Sequence, residues 1–208
     1  QDQEQALVYF QMALKIFPQS ATIHNNIGSC YFRKKEFVQA EEYFRKAHSL
    51  NPYQPEPLLN LGLVLEQQAR WEQALECYNR VYGLRPKDER VLYALLRFSL
   101  MDYGRVENVN RAEEFLAVIN NKSFLNELGG LLAFKGYSSI ALKYFKKAMM
   151  LYPQNLNAYR ELGKVFANAG QFKKAADIWD QGLKVKPNDE ILQELLKELA
   201  VISVDIKP

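Results

Sequence analysis

One short pattern returns every 34 residues, and that interval restricts the chain to a repeat architecture. An Ala is followed four residues later by an aromatic, three further on by a small residue, and five beyond that by Pro. Ala6, Phe10, Ala13 and Pro18 carry it first, then Ala40, Phe44, Ala47 and Pro52. Ala74, Tyr78, Val81 and Pro86 follow with one substitution. Ala141, Phe145, Ala148 and Pro153 resume it, and Ala175, Trp179, Gly182 and Pro187 close it. Twelve residues before the Ala of each complete block stands a glycine: Gly28, Gly62, Gly129 and Gly163.

Both halves of a block have helical spacing. Ile23, Ile27 and Tyr31 recur at four; Phe37, Ala40, Phe44 and Ala47 recur at three and four. Two antiparallel helices approach closely only where a side chain is tiny, so Gly28 is expected to face Ala40. Each Pro ends a second helix, because it cannot donate the next backbone hydrogen bond.

With its columns in register over nearly the whole chain, the sequence resembles the tetratricopeptide repeat family. The resemblance implies an all-α fold, a right-handed α-α superhelix (solenoid) of helix pairs with a C-terminal capping helix. Residues 1–20 read as the second helix of a truncated repeat, and 21–54 and 55–88 as full repeats. Residues 89–121 read as an irregular repeat with an inter-helix insertion, and 122–155 and 156–189 as full repeats. A capping helix over 190–202 and an extended tail over 203–208 complete a count of twelve helices.

Two places break the pattern. Leu96 stands where Gly is usual, and 16 residues, not 12, separate it from Ala112, so MDYGRVENVN carries about one extra helical turn. It predicts a longer helix or turn, or a bend or lip. The first helix has no partner: Leu7, Phe10, Leu14 and Phe17 would present a bare apolar face. Upstream chain or a second copy is expected to cover it, the former favoured.

Reactive constellations are scarce. No carboxylate is placed to orient His24, and Cys30 lies six residues from it, on a different helical face. His48 is expected to be solvated. Gly130-x5-Gly136 misses phosphate-loop spacing and its Lys-Ser/Thr pair. No cofactor, no metal site and no catalytic residue is expected. A net charge of +3 and aromatics on the repeat columns argue against nucleic acid. No apolar run nears the ~18 residues of a membrane span, so no membrane insertion is expected. Two unpaired thiols favour a cytoplasmic over a periplasmic setting.

Function is therefore expected in the groove lined by first helices, as a non-enzymatic scaffold for a protein or peptide partner. The wall should show Asn25, Asn26, Ser29, Leu59, Asn60, Leu63, Arg90, Tyr93, Arg97, Asn126, Arg160 and Lys164. By the resemblance, Asn26 and Asn60 either clamp a bound peptide backbone or bridge neighbouring helices. Arg90, Arg97, Arg160 and Lys164 either meet ligand carboxylates or pair with acids of the chain itself. A chaperone-type carboxylate clamp fails, since only Asn60 and Arg90 fit its pattern. The alternatives are a docking array of a larger enzyme or multidomain protein, and a module that self-assembles through its uncovered N-terminal helix.

Overall fold

The computed structural model describes residues 2–101 and 109–205. They fold into helices α1 (Asp2–Ile16), α2 (Ala21–Arg33), α3 (Phe37–Leu50), α4 (Pro55–Gln67), α5 (Trp71–Leu84) and α6 (Glu89–Leu100), followed by α7 (Ala112–Val118), α8 (Lys122–Phe134), α9 (Ser138–Leu151), α10 (Leu156–Asn168), α11 (Phe172–Val185) and α12 (Glu190–Asp205). There is no strand among the described residues. The chain divides into two compact units, Gln1–Arg105 and Val106–Pro208.

In the first unit each helix packs on the next, and the first helices α2 and α4 also touch. The second unit repeats the arrangement: α8 pairs with α9 and α10 with α11, while the first helices α8, α10 and α12 are successive neighbours. Four helix starts are capped by short polar side chains. Ser20 accepts from the Ile23 N–H at 3.3 Å and Asp88 from Arg90 at 3.0 Å. Asn121 accepts from Ser123 at 2.9 Å and Asp189 from Leu192 at 3.1 Å. The second helices end two residues before Pro, with Asn51, Arg85, Tyr152 and Lys186 as their C-caps.

The glycine column meets an aromatic ring, not the alanine expected of Gly28. A Cβ on Gly28 would lie 2.8 Å from the Phe44 ring, and Gly62, Gly129 and Gly163 stand in the same way against Tyr78, Phe145 and Trp179. A ring can lie flat on bare backbone, so it fills the space that a missing Cβ leaves. All four rings are buried, each stabilising by roughly 2–3 kcal/mol. Ala40, Ala74, Ala141 and Ala175 are fully buried beside them.

The turn inside each pair has a left-handed residue at one repeat position: Lys35 (φ 61°), Ala69 (φ 56°), Gly136 (φ 86°) and Gly170 (φ 69°). Glycine adopts this conformation freely; Lys and Ala do so at a cost.

Three expectations need correction. Leu7, Phe10 and Leu14 are not bare, because they pack onto Ile23, Ile27, Cys30 and Tyr43. The exposed apolar row of α1 is Val8, Tyr9, Met12 and Ile16, with Phe17 just beyond. Residues 203–205 are helical, not extended, since α12 continues to Asp205; residues 206–208 lie outside the described residues. His48 is half-buried against Arg80. The insertion read in MDYGRVENVN falls mostly on 102–108, outside the described residues.

Candidate partner-binding face

In the first unit the exposed side of α2 and α4 is organised by amides. Asn60 donates from Nδ2 to Asn25 Oδ1 at 2.9 Å, tying α4 to α2. Ser29 donates to the Asn25 carbonyl at 3.0 Å. Asn26 is half-buried one residue along. Asn60 thus bridges helices, with Asn25 as its partner. Ser29, Phe32, Arg33, Phe44, Asn60 and Leu63 enclose a cleft of about 190 Å³.

The second unit opens a cleft at the same repeat positions, 101 residues further on. Gly130, Ala133, Phe134, Phe145, Glu161 and Lys164 replace those six residues one for one, in a cavity of about 330 Å³. Gly130 and Ala133 are smaller than Ser29 and Phe32, and Ser138, Val165, Asn168 and Ala169 extend the second cleft beyond the first. Phe134, 84% exposed, stands at the wall where Arg33 stands in the first unit.

One exchange leaves a polar group unmet. Asn126 occupies the position of Asn25, but the counterpart of Asn60 is Glu161, whose carboxylate cannot donate. Glu161 takes Lys164 instead, at 2.8 Å. Asn126 Oδ1 is buried without a hydrogen-bond partner among the described residues.

The four cations of the expected groove all hold acids of their own chain. Arg90 meets Asp88 at 2.6 Å, and Arg160 grips both oxygens of Asp189 at 2.7 and 2.9 Å. Lys164 holds Glu161. Arg97 binds Glu66, which also accepts the Tyr78 hydroxyl, and its guanidinium lies over the Tyr93 and Phe98 rings at 5.5 and 5.2 Å. Burial and the Glu66 charge push the Tyr78 hydroxyl well above its ordinary value. Arg97 and Arg160 tie neighbouring elements together, whereas Arg90 and Lys164 pair locally.

Of the expected residues, Ser29, Asn60 and Leu63 meet in the first cleft and Lys164 lines the second. Asn25 and Asn26 flank the first, and Asn126 lies on α8. Leu59 is not on the wall: it is buried among the core side chains of α4, α5 and α6. Phe134 was absent from the sequence reading. Its signal was the column it shares with Arg33, which a search for aromatics on the core columns passes over.

Cys30 and Cys77 are free and buried, and burial pushes the Cys77 thiol up to about 11. Among the described residues no helix is long and apolar enough to cross a membrane. No group of three metal-ligating side chains is found there either.

Antiparallel helix pairs with a small-on-aromatic contact at a 34-residue period define a helical-repeat protein of the kind that serves as an interaction scaffold. The chain belongs to the tetratricopeptide repeat family, whose signature it matches over residues 19–87 and 141–199. It is similar to tetratricopeptide repeat protein 6 of Homo sapiens, 24% identical over 193 residues that cover 90% of this chain and 36% of the relative. It is also similar to BBSome complex member BBS4 of Mus musculus, 32% identical over 111 residues, 53% of this chain and 21% of the relative. The chain thus spans about a fifth to about a third of these relatives. Among solved structures, pilF of Pseudomonas aeruginosa superposes with a TM-score of 0.71 at 25% identity, covering 95% of this chain and 90% of that one.

Proposed function

We propose that the chain is a non-enzymatic scaffold that holds a partner protein through an extended segment or helix laid on its first helices. The carrying observation is the recurrence of one cleft, at six equivalent positions, in both units. A cleft that repeats with the fold suits a ligand that is itself a repeating backbone. The walls differ where selectivity would be needed. Arg33, Asn60 and Leu63 offer a polar and aliphatic seat; Phe134 and the Glu161–Lys164 pair offer an aromatic one. The internally paired cations favour a partner read by shape and amide hydrogen bonds over one read by its carboxylates.

The test is affinity capture with the Leu63→Glu/Lys164→Glu double variant beside the native chain, helical content being checked by circular dichroism. Both side chains reach solvent, so the fold should persist. The native chain retains a partner that the variant loses; equal retention overturns the reading.

A second reading, a docking array within a larger enzyme or multidomain protein, is favoured by the small share of each relative that the chain spans. It uses the same clefts, and the sequence of the whole gene product separates the two.

A further inference from the structure

The opposite side of α4 carries a second, chemically different cavity. It measures about 250 Å³ and opens between the second helices α3 and α5. Leu58, Leu61 and Leu65 of α4 form its floor and Cys77 part of its wall. Arg45, His48, Gln73, Glu76 and Arg80 form the rim. Asn60 and Leu63, on the same helix, line the cleft described above, so the two sites are independent.

The rim carries two guanidinium groups against one carboxylate, Glu76. Arg45 is engaged by Glu41 at 2.8 Å, but Arg80 makes no salt bridge among the described residues. Its Nη2 lies 3.0 Å from His48 Nε2. A guanidinium only donates, so Nε2 accepts and the imidazole hydrogen sits on Nδ1. That Nδ1 is buried with no hydrogen-bond partner. Burial first, and the Arg80 charge second, hold His48 below its ordinary value, which keeps the ring neutral and able to accept. An apolar floor thus lies beneath a cation whose hydrogen-bond partner is uncharged.

We propose that this cavity receives the C-terminal residue of a partner chain, with a Leu, Ile or Phe side chain on the leucine floor and the terminal carboxylate on Arg80. Asp and Glu carry a carboxylate without apolar bulk, and internal Leu or Phe carry bulk without charge. Within a polypeptide, only a C-terminal apolar residue joins both on one unit. The volume falls below the roughly 300–1,000 Å³ of small-molecule sites, so it suits a single residue better than a cofactor. Residues before the terminus have a place: a second cavity of about 580 Å³, lined by Leu14, Tyr43 and Lys46, shares Arg45 with the first.

The test is methyl NMR of the labelled full chain, following the Leu58, Leu61 and Leu65 methyls. The probes are N-acetylleucine, N-acetylleucinamide, hexanoate and the peptide acetyl-Ala-Ser-Leu with a free carboxylate. The proposal expects saturable shifts with N-acetylleucine, at least tenfold weaker binding of the amide, and tighter binding of the peptide. Arg80→Gln, at an exposed position, weakens the acid at least tenfold while the free spectrum stays native-like. Equal binding of acid and amide, no shift with any probe, or unchanged affinity in Arg80→Gln overturns it. Hexanoate binding as tightly as the peptide overturns the C-terminal assignment in favour of a free acid.

Discussion

Gly62 lies so close to Tyr78 that a Cβ on it would stand 2.6 Å from Cε1 of the ring. Tyr78 is buried and anchored through its hydroxyl to Glu66, so it cannot withdraw. Gly62→Ala is expected to destabilise the first unit by about 1–3 kcal/mol. Gly83→Ala, where a Cβ meets nothing within 4 Å, should stabilise by about 0.5–1 kcal/mol. Urea denaturation of the two variants checks the opposite signs.

The left-handed turn column offers a second pair of opposite signs. Ala69, at φ 56°, holds a conformation that glycine takes without strain. Ala69→Gly should stabilise by about 1 kcal/mol, and Gly170→Ala should destabilise by a similar amount. If both variants move the urea midpoint in one direction, the turn geometry described for this column is wrong.

Glu66 and Arg97 are 9% and 15% exposed, so each depends on the other for its charge. Glu66→Gln is expected to cost about 3 kcal/mol, at the lower end for a buried pair because water still reaches both. The Glu66→Leu/Arg97→Met double variant leaves the Tyr78 hydroxyl without its acceptor, a penalty of about 1–3 kcal/mol. Adding Tyr78→Phe should remove most of that penalty. Calorimetry of the single, double and triple variants reads the order directly.

Asp189 sets an acid limit for the second unit. Burial alone would raise its carboxyl, but the Leu192 N–H and the Arg160 guanidinium outweigh that and hold it below the ordinary range. A carboxyl lowered on folding contributes stability above its unfolded value of about 3.9. That contribution is lost as pH falls through the lower native value. Native stability should therefore drop on acidification below about pH 4, and Asp189→Asn should be less stable at neutral pH with a shallower acid slope. Identical slopes would contradict the role given to this carboxylate.

The period made the helix pairs legible in the sequence. Ala40, Phe44, Gly62 and Tyr78 carry both the phase and the buried contact, because one residue per turn faces the neighbouring helix. Which atoms meet was not legible. Glycine against alanine and glycine against a ring fit the same spacing, and only backbone geometry places Phe44, not Ala40, over Gly28. The site was readable by column and not by partner. Ser29, Asn60 and Leu63 follow from their positions, whereas the partners of Arg97 and Arg160 lie 31 and 29 residues away on other helices. Leu59 was misplaced because one step along a helix turns a side chain by about 100°, from the wall into the core. Phe134 lay hidden because one unit uses arginine where the other uses an aromatic.

The most direct measurement places a photo-crosslinking phenylalanine derivative at single positions of the native chain. Position 63 or 164 puts it in one of the matched clefts, and position 146 or 177 puts it on exposed second-helix faces of the second unit. Irradiation in cells should join one and the same partner protein at 63 and 164 and leave 146 and 177 without adduct. Adducts confined to 146 and 177, or different partners at the two clefts, would contradict a single ligand held on the first helices.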